Sequence, residues 1–147
     1  MDKQKKPIYR RAWFWLLAIA AVIALTSWLR SPEATFRLQR AKFEQAAQDM
    51  LAERETDVKI LGVHDIRVWG STGEDAMVEF TTGIFGIVPA SCYSGVYYSA
   101  DGAPRPFENA GEELAESDGG WAWQGEGDNR GETYPLGDGW YTFEASL

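Results

Sequence analysis

The feature that most constrains this chain is an uninterrupted apolar stretch near its N-terminus, from Ala12 to Leu29. These 18 residues carry no charge, and only Thr26 and Ser27 are polar. A helix of that length covers about 27 Å at ~1.5 Å per residue, close to the roughly 30 Å hydrocarbon core of a bilayer. Indole rings favour the two interfaces of a bilayer, and tryptophans mark both ends of the stretch: Trp13, Trp15 and Trp28. The stretch therefore predicts a membrane-spanning helix rather than the buried helix of a soluble core.

A basic segment followed by an apolar segment is also the pattern of a cleaved signal peptide. Cleavage prefers small residues at the last and third-last positions before the cut, and the best local pair is Ala24 with Thr26. That pair makes a poor site, and Cys92 lies too far downstream for a lipoprotein anchor. We therefore expect an uncleaved signal-anchor that holds the chain in the lipid bilayer through residues 12–29.

Charge on the two sides of the apolar stretch predicts its orientation. Residues 1–11 contain five basic residues and one acidic residue, a net charge of +4. Four basic residues follow within the next twenty positions: Arg30, Arg37, Arg40 and Lys42. The cluster before the span is denser, and the first helix usually sets the orientation. We expect a cytoplasmic tail at residues 1–11 and an extracytoplasmic domain at residues 30–147.

The rest of the chain is strongly acidic. The whole sequence has a formal net charge of −8, and residues 101–147 alone combine two basic with eleven acidic residues, a net charge of −9. Nucleic acid is excluded as a partner, because a phosphate-binding surface needs clustered Lys and Arg. The single cysteine, Cys92, excludes an internal disulfide framework and a CxxC metal site.

After the anchor, the sequence pattern changes from helix to strands. The segment from Ser31 to Glu33 is a typical helix start, and apolar residues at helical spacing predict an amphipathic helix to about Arg54. From Val58 onward, short alternating segments separated by glycine-rich turns predict strands. We expect residues 84–88 to be a strand end, bulge or edge, and residues 108–120 to be a poor strand or a loop. The predicted fold class is α+β, with one amphipathic helix packed on an antiparallel sheet of four to six strands.

The reactive side chains do not form a convincing catalytic set. Cys92 and His64 are the sole cysteine and histidine, and a nucleophilic pair would require the fold to bring them together. The acidic residues between Phe107 and Gly120 lie in a polar segment, which favours solvated charges over acid–base roles: Glu112, Glu113, Glu116 and Asp118. We assign no catalytic, cofactor-binding or metal-binding residue, and we favour a protein without enzymatic activity.

Two further patterns have simpler alternatives. The turn from Glu126 to Glu132 is similar to a calcium-binding loop, but Arg130 and Gly137 stand where an EF-hand needs oxygen ligands. The many aromatic residues after Val58 would stack on a glycan or peptide if they were exposed, yet they are also the main apolar volume for a core. We expect a hairpin turn without calcium, and a core built mostly of aromatic rings.

The segments from Ile84 to Phe107 and from Gly120 to Leu147 resemble small bacterial membrane-anchored proteins with an N-terminal transmembrane helix and an aromatic-rich β domain. The resemblance covers about the C-terminal half of the chain and its general layout. It implies the architecture described above, and it carries over no activity, cofactor or catalytic residue.

Together these patterns predict a single-pass membrane protein that displays a non-enzymatic binding or interaction domain outside the cytoplasmic membrane. Its expected partners are the lipid bilayer, through residues 12–29, and a cell-envelope protein or glycan. Two alternatives stay open. One is an envelope hydrolase or transferase that uses carboxylates of the acidic half. The other is an immunity or accessory protein whose acidic surface complements a secreted partner.

Overall fold

The computed structural model describes residues 8–52, 55–70, 73, 75–87 and 90–147. The chain divides into two compact units, Met1–Ser31 and Pro32–Leu147. Within the described ranges, the first unit contains helix α1 (Ile8–Leu29), and the second contains helix α2 (Pro32–Leu51), seven strands and a short 3-10 helix (Phe107–Asn109). Most of the predicted cytoplasmic tail lies outside the described residues, as does the helix end expected at Arg54.

Helix α1 contains the apolar stretch identified in the sequence. Its large apolar side chains between Trp13 and Trp28 are more than half exposed. The hydroxyl of Thr26 donates to the carbonyls of Val22 at 2.9 Å and Ile23 at 3.0 Å, so this polar group is satisfied inside the helix. Among the described residues no single helix is long and apolar enough by itself to span a membrane.

The second unit is built on one antiparallel sheet in the order β1-β2-β3-β7-β6-β5-β4. The bounds of its strands are β1 (Asp65–Trp69), β2 (Met77–Ile87), β3 (Ala90–Ser99), β4 (Ala115–Ser117), β5 (Gly120–Gln124), β6 (Arg130–Gly137) and β7 (Trp140–Ser146). The α+β class is as predicted. Two of the connections between neighbouring strands, β4–β5 and β6–β7, are short hairpins.

The prediction of four to six strands is wrong, because two strands lie in segments whose composition argues against them. β4 is three exposed residues that pair with β5 through a hairpin. β6 contains Pro135 and ends at Gly137, and a register shift between these residues lets it stay paired with β7. Residues 84–87 are the second half of β2, which continues past a bulge between Thr81 and Gly83, and Val88 lies outside the described residues.

Helix α2 packs on one face of the sheet through a cluster of aromatic rings. The ring centroids of Phe43 and Phe80 are 4.9 Å apart, and those of Phe36 and Trp140 are 4.8 Å apart. All four side chains are buried. This cluster covers the half of the sheet face formed by the start of β2, the end of β3 and the start of β7.

A side-chain amide holds the loop before β1 against α2. The backbone of α2 departs from helical geometry at Gln39 (φ −127°, ψ 22°). The Gln39 amide donates to the carbonyl of Leu61 and accepts from the N–H of Leu61, both at 2.9 Å. These two bonds tie the loop to the helix next to Ile60, which is buried in the same aromatic cluster.

The opposite face of the sheet is covered by residues Asp101–Leu114, which we call the crossing segment. Phe107 of this segment packs into a second buried cluster with rings from β3, β5 and β7. The Tyr97 hydroxyl accepts the N–H of Arg105 at 2.8 Å, and the Tyr141 hydroxyl donates to the carbonyl of Gly102 at 2.5 Å. Most of the aromatic residues of the domain are therefore buried or partly buried, as expected from the sequence.

Candidate functional site: an open trough on the sheet

An open cavity of about 1040 Å³ lies against the half of the sheet that α2 leaves uncovered. Its lining residues form three consecutive rows, of which the first crosses six strands and the other two cross five strands and end on the crossing segment. The first row is Gly83, Ser94, Glu144, Glu132, Ala122 and Ala115. The third row is Phe85, Cys92, Ser146, Arg130, Gln124 and, at the end of the crossing segment, Glu113.

Alternation along the strands decides which face the cavity occupies. Side chains two residues apart share a face, so Glu144 lies on the same face as Trp140, which contacts α2. The middle row points to the other face, where Trp123 and Ala145 are buried at 6% and 4% exposure. The first and third rows therefore form the floor of the cavity, on the α2 side of the sheet. We call this floor and the space above it the trough.

Small side chains give the trough its depth. Half of the residues in the first row are glycine or alanine: Gly83, Ala122 and Ala115. Ser94, which stands opposite Gly83, is also small. A Cβ atom placed on Gly83 would lie 2.5 Å from the hydroxyl oxygen of Ser94, so a larger residue at this position would displace the serine side chain. In the third row, the Cys92 thiol lies 3.8 Å from the Ser146 hydroxyl oxygen.

Negative charge lies at the centre of the trough. Glu132 on β6 and Glu144 on β7 stand directly opposite each other, and both are exposed. The Tyr134 hydroxyl donates to Glu132 Oε2 at 2.6 Å. This hydrogen bond, with the added negative charge of Glu132, Asp118 and Glu144, raises the pKa of Tyr134 above its ordinary value. The trough can therefore attract cationic groups, and its open floor offers room for an extended or helical segment.

A second notable carboxylate, Glu79 on β2, lies on the other face, beneath the crossing segment. Glu79 is 3% exposed and accepts the N–H of Glu108 at 3.1 Å. Burial raises its pKa to about 7. Glu79 was not singled out from the sequence. Alternation along the strand nevertheless places it on the same face as Met77 and Thr81, which are both buried.

The two candidates for a nucleophilic pair are not brought together. His64 is exposed before β1, and its backbone N–H donates to the carbonyl of Thr81 at 2.8 Å. Cys92 stands opposite Phe85, four residues further along β2. At ~3.3 Å per residue this offset is about 13 Å, and Cys92 also lies on the far side of β2 from β1. Nucleophilic catalysis by this pair is therefore not supported.

The acidic residues singled out in the sequence are dispersed. Glu113 lines the trough, Glu116 is on β4, and Asp118 is in the turn before β5. The turn that was compared with a calcium-binding loop is closed by a hydrogen bond of 2.8 Å from the N–H of Gly125 to the carbonyl of Asn129. Across the ranges that the structure describes, no three His, Cys, Asp or Glu side chains form a group that could hold a metal ion.

Comparison of the chain with protein-family models, with curated proteins and with solved structures found no match in any of the three.

Proposed function

We propose that this chain is a single-pass membrane protein whose domain at residues 30–147 is displayed outside the cytoplasmic membrane, where it binds another envelope component without enzymatic activity. The trough is the observation that carries the binding role. It is an uncovered half of a sheet face, about 1040 Å³ in volume, next to a half that α2 already covers. Antiparallel sheets often leave part of a face to solvent, and an open cavity of this size on that part of the face supports a docking role.

The anchoring role is supported by α1. Its side chains from Trp13 to Trp28 are apolar apart from Thr26 and Ser27, and the large ones remain more than half exposed. Exposed apolar surface on this scale is unfavourable in water and favourable in lipid. The hydroxyl of Thr26 is satisfied by helix carbonyls, which suits a lipid environment where water cannot serve as a partner.

Topology is tested in intact cells or spheroplasts. Protease added from outside should degrade the C-terminal domain, and alkaline carbonate should leave the chain in the membrane pellet. Mass spectrometry of the N-terminus should find the apolar stretch retained. Full protection of the domain until lysis, or release of the chain by carbonate, would contradict the proposed anchor and orientation.

Binding through the trough is tested by photo-crosslinking in cells. A benzophenone amino acid replaces Gln124, an exposed residue on the trough floor, and the matched control carries it at Gln48, an exposed residue on the outer side of α2. We expect one specific adduct from position 124 that position 48 does not form. Identical adduct patterns from the two positions would count against the trough as the binding face.

An immunity or accessory role is a second candidate, because the floor of the trough carries three carboxylates and one guanidinium. Such a surface suits a basic secreted partner. The hydrolase or transferase alternative has less support. Glu132 and Glu144 are exposed, and the shielded carboxylate of Glu79 lies under the crossing segment and does not line the trough. An acid–base pair needs one carboxyl group shielded within reach of the other and of a substrate.

A further inference from the structure

The trough holds a pair of like charges that nothing in the fold requires. Glu132 and Glu144 are directly opposite across β6 and β7, and directly opposed residues of antiparallel strands have Cβ atoms about 4.5–5.5 Å apart. At that separation the two carboxylates repel each other. A cation placed between them would relieve the repulsion.

The basic side chains of the domain do not supply that cation. Within the residues that the structure describes, each ion pair lies away from Glu132 and Glu144: Arg37–Glu33, Arg40–Glu44, Arg40–Asp138, Arg67–Asp65, Arg67–Glu108 and Arg105–Asp101. Arg130 lies in the third row, yet it forms no ion pair with either carboxylate within the described chain. The acidic centre of the trough is therefore available to an external cation.

An exposed apolar side chain stands at one end of the same floor. Phe85 is 82% exposed at the β2 end of the third row, and the neighbouring Ile84 is 58% exposed. Between Phe85 and the acidic pair lie only Cys92, Ser94 and Ser146, whose side chains are small. A ligand that reaches both features must carry an apolar group at one end and positive charge near its middle.

We infer that the trough docks a basic peptide segment of a partner protein, with Lys or Arg side chains between Glu132 and Glu144 and an apolar side chain against Phe85. This inference rests on the proposed binding role and names the chemistry of the partner. Six strands at ~4.8 Å spacing make the trough about 24 Å long, which an extended segment of about seven residues would fill. A second copy of the chain is a poor occupant, because residues 101–147 carry a net charge of −9.

The test uses the full chain in nanodiscs of neutral phosphatidylcholine and a fluorescein-labelled peptide of seven residues, five of them Lys and two Leu. Fluorescence anisotropy measures binding at low and at physiological salt, with empty nanodiscs as the blank. The trough variant is Glu132→Gln with Glu144→Gln. The matched control is Glu126→Gln with Asp128→Asn, which removes the same charge from the exposed β5–β6 turn outside the trough. A third variant, Phe85→Ser, tests the apolar contact.

We expect the wild-type chain to bind the peptide, the trough variant to bind at least about tenfold more weakly, and the control within about twofold of wild type. Phe85→Ser should weaken binding about three- to tenfold. The inference is overturned by absence of binding at low salt, by equal losses in the trough and control variants, or by an unchanged affinity in the trough variant. Near-UV circular dichroism of each variant shows that the fold is retained, and the single substitution Glu144→Gln replaces the pair if the double variant is unfolded.

Failure of this inference and failure of the proposed function give different results. If Gln124 yields a specific adduct in cells but the basic peptide does not bind, the binding role stands and the partner chemistry is wrong. If neither position 124 nor position 48 yields a specific adduct in cells, but the peptide binds the trough, the electrostatic match is correct and the proposed role in the envelope is wrong.

Discussion

The carboxylate of Glu79 accepts a hydrogen bond from the backbone N–H of Glu108 at 3.1 Å, and this contact ties the start of β2 to the crossing segment. Glu108 has a φ of 57° and Asn109 a φ of 50°, in the left-handed region that residues other than glycine seldom adopt. The hydrogen bond that Glu108 donates to Glu79 helps to offset the strain of this turn. Because Glu79 is 3% exposed, its protonation state bears directly on the stability of the domain.

Stability should fall as the pH rises from about 5 to 8. Burial raises the pKa of Glu79 from its ordinary value of 4.5 to about 7, while the charge of Arg67 acts in the opposite direction. Between these two values the folded chain keeps a proton that the unfolded chain has released, so the free energy of unfolding decreases with pH. The full decrease is up to about 3 kcal/mol above pH 7. Thermal unfolding at pH 5, 6, 7 and 8, followed by near-UV circular dichroism in neutral detergent, measures it.

Glu79→Gln should flatten this pH profile, since an amide keeps the size of the side chain and does not ionise. Glu116→Gln, at an exposed position on β4, should leave the slope as it is in the wild-type chain. A Glu79→Gln variant that keeps the wild-type slope would show that another group is responsible for the pH dependence.

Phe43→Ala should destabilise the domain by about 3–5 kcal/mol, the range for truncation of a buried phenylalanine. Phe43 is fully buried, and its ring contacts those of Phe36, Phe80 and Trp140, so the substitution leaves a cavity between α2 and the sheet. Leu38→Ala is the control on the same helix, where the side chain is 66% exposed, and should change stability by less than about 0.5 kcal/mol. Similar melting temperatures for the two variants would contradict the packing of α2.

Gly95→Ala should destabilise the domain by about 1–3 kcal/mol or more, because the added methyl group has no space. Its Cβ atom would lie 2.2 Å from the carbonyl oxygen of Phe80 and 2.7 Å from the ring of Phe143. Gly111→Ala is the matched control, since a Cβ there would meet nothing within 4 Å. Equal melting temperatures for the two alanine variants would mean that β2 and β3 approach less closely at Gly95 than described.

Elements with strong local periodicity could be predicted from the sequence, and elements that depend on pairing could not. The helix start at Pro32 follows from local residues, and the strand from Met77 follows from alternation. β4 has no apolar face of its own and forms because Ala115 pairs with Ala122. β6 carries Pro135, which argues against a strand until a register shift accommodates it.

The trough could not be predicted, because its floor is assembled from six strands. Glu132 and Glu144 are twelve positions apart in the sequence and become neighbours through the register of β6 with β7. Gly83 joins the same row only because the bulge after Thr81 shifts the register of β2 by one residue. The acidic character of this half of the chain was visible in the composition, whereas the positions of its charges depend on pairing.

Glu144→Lys should stabilise the domain, by about 0.2–1 kcal/mol, because it replaces a like-charge pair across β6 and β7 with an opposite-charge pair. Thermal unfolding at low salt measures the gain, and Glu126→Lys is the control, with the same change of charge in the β5–β6 turn. If the melting temperature of Glu144→Lys is no higher than that of Glu126→Lys, the opposed carboxylates do not destabilise the sheet. The Glu144→Lys variant could instead melt at a higher temperature and also lose binding of the basic peptide. That result would mean that Glu132 and Glu144 lower the stability of the domain but are needed for recognition, as expected of residues whose role is to bind a partner.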